Sequence, residues 1–351
     1  MKFIDSTNFV KLIKKLTAEG ELYYPFHDEE TGMFHLRRAS GFPLEEDFEL
    51  GGFRAVEPMK GVAQHARVTV AEYPSDDPNE VTNEDNIIPS VVLGAKGCDI
   101  NAMGQVDMVQ VEGEFTDPLY KIRRDKMFVV AADCDDCKDT CFCSLLGNNP
   151  WPEEGYDLAV SKISGGYLIE AGSERGEKVL SDNDKLTSEA REGQVKARDE
   201  KRQKVLASLR EKNSQFPDDL TGMPDKLRDA ITDELWDELA RNCVECGACT
   251  NICPTCYCFL LYDRKTDGEH FRRLSNWDSC QLSGYARMAG MLNPRASLTD
   301  RVKHRFYHKY DYLVLSHGEI FCTGCGRCID ACSASIDIRE VLGKIGEKVT
   351  G

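Results

Sequence analysis

The chain has 351 residues, a length that predicts two or three domains rather than one. Hydrophobic residues make up 41% of it and charged residues 30%, so it holds enough apolar material for hydrophobic cores. Its formal charge of -16 argues against nucleic acid as a partner, because an acidic chain repels phosphate backbones. No apolar run approaches the ~18 residues that a transmembrane helix needs, and Asp5 stands where a signal peptide would be apolar. We therefore expect a cytoplasmic protein with no membrane partner.

Residues 1–180 are predicted to form a mixed α/β domain. Apolar residues recur at helical spacing between Phe9 and Leu16, and Ser6 or Thr7 is expected to cap this first helix. Short segments rich in β-branched residues and bounded by Gly, Pro or Asp predict strands further on. These segments are Val68–Ala71, Ile87–Leu93, Met127–Ala131 and Tyr167–Ile169.

Residues 181–240 are predicted to be a charged helical linker. Charges of both signs crowd the stretch from Asp182 to Lys212, and its narrow apolar stripe predicts a solvated helix between two bodies. The stripe consists of Val205, Leu206 and Leu209. A second helix at roughly Asp225–Ala240 leads into residues 241–351, which we expect to be ferredoxin-like with an insertion at about 259–320. The predicted fold class is α+β.

Two cysteine runs carry the clearest chemical signal. The chain has 16 cysteines, and in a reducing cytoplasm so many thiols indicate metal or redox chemistry rather than disulfides. The run Cys243–Cys253, followed by Pro254, has the spacing C-x2-C-x2-C-x3-C, and the run Cys322–Cys332, followed by Ser333, repeats it. Proteins with two cubane clusters use this spacing, and the fourth cysteine of each run binds the other cluster.

The repeated spacing predicts two [4Fe–4S] clusters with four cysteine ligands each. Zinc is the weaker alternative, since zinc sites use two cysteine pairs and need no third cysteine three residues on. Glycines between the cysteines let the backbone approach a cluster closely, so that amide N–H groups can point at its sulfurs. The expected ligands are Cys243, Cys246, Cys249 and Cys332 for the first cluster, and Cys322, Cys325, Cys328 and Cys253 for the second.

The remaining cysteines leave more than one interpretation open. A third [4Fe–4S] cluster is a hypothesis for four cysteines of the first 150 residues, with zinc or packed and reactive thiols as its alternatives. The four are Cys98, Cys134, Cys141 and Cys143. Four further thiols are either extra ligands or buried cysteines that pack as small hydrophobes. They are Cys137, Cys256, Cys258 and Cys280.

A basic segment follows the insertion. His304 and His308 are four residues apart and so share one helix face, but cationic side chains surround them. Those side chains are Arg301, Lys303, Arg305 and Lys309. We expect a basic docking or surface face here rather than a metal site.

Several strings in this sequence together resemble one family of iron–sulfur subunits. They include GCD, DPLYKIRRD, CFCS-x3-N-x-P, SGGYLIEAGSERGE, CVECGACTNICPTCYCF, NWDSC, RFYHKY and CTGCGRCIDAC. From about Val91 onward the chain is similar to the β subunit of cytoplasmic group 3 [NiFe] hydrogenases (sulfhydrogenases). It also resembles the corresponding iron–sulfur subunits of anaerobic sulfite reductase and of flavin oxidoreductases that serve heterodisulfide reductase complexes. The resemblance implies an electron conduit in a hetero-oligomer of an anaerobe, beside an FAD subunit that uses NAD(P)H.

Three functions are weighed on the residues alone. The first is a non-catalytic relay of single electrons between a flavin partner and a hydrogenase, sulfite reductase or heterodisulfide reductase module. The second is catalytic reduction of a sulfur compound such as sulfite, polysulfide or a disulfide, which only the leftover thiols support. The third is a module whose clusters hold an interface or sense oxygen. Gly165, Gly166 and Gly172 do not form a dinucleotide fingerprint, so no flavin or nucleotide is expected on this chain alone.

Overall fold

A computed structural model describes residues 1–18, 20–40, 49–74, 84–229 and 233–350. The strands are β1 (Lys2–Asp5), β2 (Glu21–Asp28), β3 (Met33–Ser40), β4 (Arg67–Tyr73), β5 (Ser90–Ala95), β6 (Met127–Ala132), β7 (Leu158–Ile163), β8 (Gly166–Ala171), β9 (Ser188–Glu189), β10 (Phe259–Asp267) and β11 (His270–Trp277). The helices are α1 (Ser6–Leu16), α2 (Lys60–Ala63), α3 (Gly97–Gln110), α4 (Pro118–Asp125), α5 (Glu174–Asp182), α6 (Glu192–Lys212), α7 (Met223–Asp229), α8 (Asp233–Asn242), α9 (Ala248–Asn251), α10 (Leu298–Tyr307), α11 (Leu313–His317), α12 (Arg327–Asp330) and α13 (Ile338–Thr350).

These elements pack into two compact units made of alternating chain segments. Unit 1 takes its described residues from Met1–Ala63, Asn83–Asp139 and Asn148–Lys212. Unit 2 takes its described residues from Gln64–Thr82, Thr140–Gly147 and Asn213–Gly351. The domain limits predicted near residues 180 and 240 stay a prediction, because this division reflects packing and not independent folding.

Unit 1 is built on an eight-stranded mixed sheet, in the order β3-β2-β5-β6-β7-β8-β1-β9. Strands β2, β5, β6 and β7 run parallel, and the outer pairings are antiparallel. Every residue of β5 and β6 is buried, as expected for parallel strands that are covered on both faces. The predicted strands at Ile87–Leu93, Met127–Ala131 and Tyr167–Ile169 correspond to β5, β6 and β8.

The first helix of unit 1 is present, but its cap differs from the prediction. Helix α1 begins at Ser6, and the cap is Asp5, whose carboxylate accepts a hydrogen bond of 2.9 Å from the N–H of Asn8. A carboxylate at this position satisfies an amide that has no partner inside the helix. The apolar face of α1 is buried in the core of unit 1 through Phe9, Leu12 and Ile13.

Helix α6 is the predicted charged helix, and it packs against unit 1 instead of standing free in solvent. Its apolar stripe is buried, with Leu209 fully enclosed. The guanidinium of Arg202 donates two hydrogen bonds, of 2.8 and 2.9 Å, to the buried carboxylate of Asp133. The helix therefore belongs to the first unit through both apolar and ionic contacts.

Unit 2 contains a three-stranded antiparallel sheet in the order β10-β11-β4. The strand predicted at Val68–Ala71 is present as β4, but its partner is β11, which lies about 200 residues later in the chain. The helix predicted at Asp225–Ala240 is found as α7 and α8, while residues 230–232 lie outside the described residues.

The core of unit 2 gathers helices α7, α8, α10 and α13 around the fully buried Trp236, whose ring lies 5.3 Å from that of Phe306. Helix α10 continues through a π-helical turn at His308–Tyr312 into α11. The short segment Thr140–Gly147 also joins this core, with Phe142 fully buried. Within the described part of the chain, no helix is both long and apolar enough to cross a membrane.

We expect Leu209→Ala to lower the free energy of unfolding by about 2–5 kcal/mol, because it leaves a cavity beneath α6. The exposed Lys204 of the same helix is the matched control, and Lys204→Ala should change the free energy by no more than about 0.5 kcal/mol. Urea unfolding followed by circular dichroism measures both variants. Equal stability of the two variants would mean that α6 is only a solvated spacer.

Candidate functional site

The two cysteine runs lie in unit 2, and both contain a glycine turn just before a short helix. Gly247 and Gly326 stand before the single-turn helices α9 and α12, with positive φ angles of 70° and 71°. A side chain would be strained in this conformation. Close packing adds to the constraint, since a Cβ at Gly326 would lie 2.0 Å from the carbonyl oxygen of Thr140. The backbone of the second run is thus held tightly against the segment Thr140–Gly147.

A first cavity in unit 2 is lined by the four cysteines that the spacing assigns to the first cluster. They are Cys243, Cys246, Cys249 and Cys332. Apolar side chains, among them Val302 and Phe306, form much of the remaining wall. The N–H of Ile336 donates a hydrogen bond of 3.3 Å to the sulfur of Cys332. Cys246 is exposed, so this cavity has a solvent-facing side.

A second cavity is lined by the other four predicted ligands. They are Cys253, Cys322, Cys325 and Cys328. Burial raises the pKa of the Cys328 thiol to about 12 and raises that of Cys322 as well. The hydroxyl of Thr255 lies 3.3 Å from the sulfur of Cys253. Cys328 and Arg305 belong to the walls of both cavities, which are therefore neighbours.

The grouping of these cysteines fits cubane clusters better than single ions. The fourth cysteine of each run lies with the first three of the other run, as in proteins with two cubanes. Zinc needs four ligands about 2.3 Å or less from a single ion, whereas the cysteines of a cubane each bind a different iron.

The expected basic surface face is wrong: most of its cations point inward. Arg301, Arg305 and Lys309 are 2%, 7% and 3% exposed. Burial alone would lower the pKa of the Arg305 guanidinium, but its electrostatic interaction with Cys249 and Cys328 holds it well above its ordinary value. A run of cations usually predicts solvent exposure, so the sequence did not identify these residues as part of the site. Their spacing of four residues, in step with buried apolar residues of α10, was the available signal.

The two histidines of the basic segment have no cationic role. Burial lowers the pKa of both His304 and His308 to about 4. The Nε2 atom of His304 lies 3.2 Å from the hydroxyl of Tyr285, and that of His308 lies 3.4 Å from the hydroxyl of Tyr257. Both rings are therefore neutral groups held by tyrosines.

The four cysteines of the hypothetical third cluster are divided between the units. In unit 2, the sulfur of Cys141 is 3.9 Å from the carbonyl oxygen of Cys325, and a Cβ on Gly324 would lie 2.5 Å from the backbone of Cys143. In unit 1, Cys98 and Cys134 are near the buried ammonium of Lys96 and oppose the lowering of its pKa by burial. Their assignment to one cluster stays a prediction.

The four extra thiols occupy different surroundings. Cys137 is buried in unit 1, with its sulfur 3.9 Å from the hydroxyl of Ser208 on α6. Cys280 is buried in unit 2, and its sulfur accepts a hydrogen bond of 3.3 Å from the amide of Gln281. Cys256 and Cys258 are half-buried, and Cys256 is close enough to Lys309 to raise the pKa of its ammonium.

We expect Gly326→Ala to lose the second cluster, roughly four of the irons on each chain, because its Cβ would displace the backbone that carries the predicted ligands. Gly318→Ala is the matched control: its φ is also positive, at 80°, but nothing lies within 4 Å of the added Cβ. This control should lose only about 1–2 kcal/mol of stability and keep its iron. Iron analysis of anaerobically purified protein separates the two, and full iron in Gly326→Ala would contradict the expectation.

Two comparisons with known proteins agree with this geometry. Residues 242–336 match the family model of a 4Fe-4S dicluster domain. The chain is also 28% identical, over 98% of its length and 98% of the relative's, to the sulfhydrogenase 2 subunit beta of Pyrococcus furiosus. The similarity includes the first 90 residues, where the sequence motifs matched only loosely. Residues 242–336 are therefore a 4Fe-4S dicluster domain, and the resemblance of the chain to a hydrogenase β iron–sulfur subunit is confirmed.

Proposed function

We propose that this chain is an electron-transfer subunit that relays single electrons between a flavin subunit oxidising NAD(P)H and a terminal reductase or hydrogenase module. The observation that carries the proposal is the pair of neighbouring cavities, each lined by one predicted set of four cysteines. A [4Fe–4S] cluster supplies one-electron chemistry, and its potential depends on charge, hydrogen bonds and burial. The name of the Pyrococcus relative, a β subunit, supports a role inside a larger assembly.

In this proposal the chain's own residues bind, insulate and position the clusters. The eight cysteines are the ligands, while Ile336 and Thr255 place hydrogen-bonding groups 3.3 Å from the sulfurs of Cys332 and Cys253. The second cavity is the more enclosed, because Cys253 and Cys325 are both buried. The first has the exposed Cys246 at its edge, which favours it as the point of exchange with a partner.

A third cluster on Cys98, Cys134, Cys141 and Cys143 is part of the same proposal. Its support in unit 2 is that Cys141 and Cys143 lie against the run that contains Cys325. In unit 1, the ammonium of Lys96 near Cys98 and Cys134 would offset negative charge at those thiolates. Such a cluster would lengthen the electron path beyond the dicluster domain.

We expect Cys246→Ser to abolish electron transfer from NAD(P)H to the terminal acceptor in the purified complex, because the first cluster loses a ligand. Cys137→Ser, which changes a buried cysteine outside the two runs, is the control and should keep its iron and its activity. EPR of the reduced protein and viologen-linked assays measure both. Coupled activity in Cys246→Ser after loss of the first cluster's signal would refute the relay, and sulfite reduction by the isolated chain would favour the catalytic alternative.

The third cluster predicts roughly 12 irons for each wild-type chain, against roughly 8 with the dicluster domain alone. Cys141→Ser should reduce the higher count to roughly 8 and remove one EPR signal. Iron and acid-labile sulfide are measured together on anaerobically purified protein. A wild-type count of roughly 8 that Cys141→Ser leaves unchanged would restrict the relay to two clusters.

A further inference from the structure

Three buried cations follow one face of the helix that passes both cavities. Arg301 and Arg305 are four residues apart on α10, and Lys309 follows after four more, in the π-helical turn. A charge removed from water is destabilising unless an opposite charge or several hydrogen bonds compensate it. The ionic and hydrogen-bond partners of each cation therefore indicate which negative charge it compensates.

Arg301 is neutralised by ordinary protein groups. Its guanidinium lies 2.8 Å from the carboxylate of Glu245 and donates to the carbonyl oxygens of Gln281 and Ala296 at 3.2 and 2.6 Å. Because a carboxylate already balances it, Arg301 contributes little net charge to the cavities. It acts as a structural tie between α10 and the first cysteine run.

Lys309 has different partners. Its ammonium lies 3.3 Å from the sulfur of Cys253 and donates to the hydroxyl of Thr255 at 2.7 Å and to the carbonyl oxygen of Phe321 at 3.0 Å. None of these partners is a carboxylate. Lys309, Cys253 and Cys322 all line the second cavity. The charge of Lys309 is thus directed at the second cavity.

Arg305 stands between the two cavities and lines both. Cys249 lines the first cavity beside it, Cys253 lines the second, and Cys328 lines both. The Nε atom of Arg305 has no hydrogen-bond partner among the described residues. The groups around this buried guanidinium that can oppose its charge are therefore cysteine sulfurs, and not an acidic side chain.

We propose that Arg305 and Lys309 are the fixed charges that set the reduction potentials of the two clusters, with Lys309 acting mainly on the second and Arg305 on both. A cluster becomes more negative by one charge on reduction, so a buried cation stabilises the reduced form more than the oxidised form. Net charge and hydrogen bonds to sulfur are established determinants of cluster potential. This inference rests on the proposed function, because it requires the clusters.

The test is a potentiometric titration of the full chain in its complex, followed by EPR, with iron and sulfide measured on each preparation. In Lys309→Met we expect the second cluster to be reduced at lower potential, by a tenfold or larger change in its reduced-to-oxidised ratio, about 59 mV for one electron. The first cluster should shift less. Lys309→Arg keeps the charge and should remain close to wild type, whereas Arg305→Met should lower both potentials.

Lys303→Met is the matched control, since it removes a cation of the same helix that does not line either cavity. Its potentials should stay near those of the wild type. Unchanged potentials in an iron-replete Lys309→Met would overturn the inference while leaving the relay intact. If Lys309→Met fails to load, Lys309→Gln replaces it, and failure of both beside a loaded Lys309→Arg would overturn the inference in favour of cluster assembly. A wild-type chain without iron would refute the proposed function itself.

Discussion

The arrangement of unit 2 depends on two buried cations that face the cysteines of both cavities. Eight cysteines line the two adjoining cavities, and as cluster ligands their thiolates would repel each other in a medium of low dielectric constant unless positive charge lay nearby. Arg305 and Lys309 supply that charge from the helix beside the cavities. Both cations are buried, and a buried charge is destabilising unless an opposite charge or hydrogen bonds compensate it.

The backbone around the cavities satisfies a second requirement, which is close approach. The turns at Gly247 and Gly326 carry positive φ angles, and Gly326 packs directly on Thr140. The segment Thr140–Gly147 is therefore part of unit 2, although it is flanked in sequence by strands of unit 1. As a result, Cys141 and Cys143 lie against the second cysteine run.

The local pattern of apolar and polar residues predicted some secondary-structure elements correctly and missed others. Buried parallel strands such as β6 were recognisable because both of their faces are apolar. The hairpin of β10 and β11 was missed, since its side chains are mostly exposed and few follow the alternation of a half-buried strand. The basic residues of α10 were wrongly predicted to face solvent for a related reason. A charged residue can be buried when groups of opposite charge lie beside it in the fold, and the local sequence does not show those groups.

The sequence by itself determined the chemistry, because the ligand spacing of a cubane is a local property of the chain. Two runs of C-x2-C-x2-C-x3-C predict the cluster type and also the exchange of the fourth ligand between the runs. Only the tertiary structure decided what surrounds that chemistry. The pairing of β4 with β11, the docking of Thr140–Gly147 and the inward orientation of Arg305 and Lys309 join residues that are distant in sequence. Such contacts follow from the burial of apolar surface and the compensation of charge across the whole unit, which no short stretch of sequence encodes.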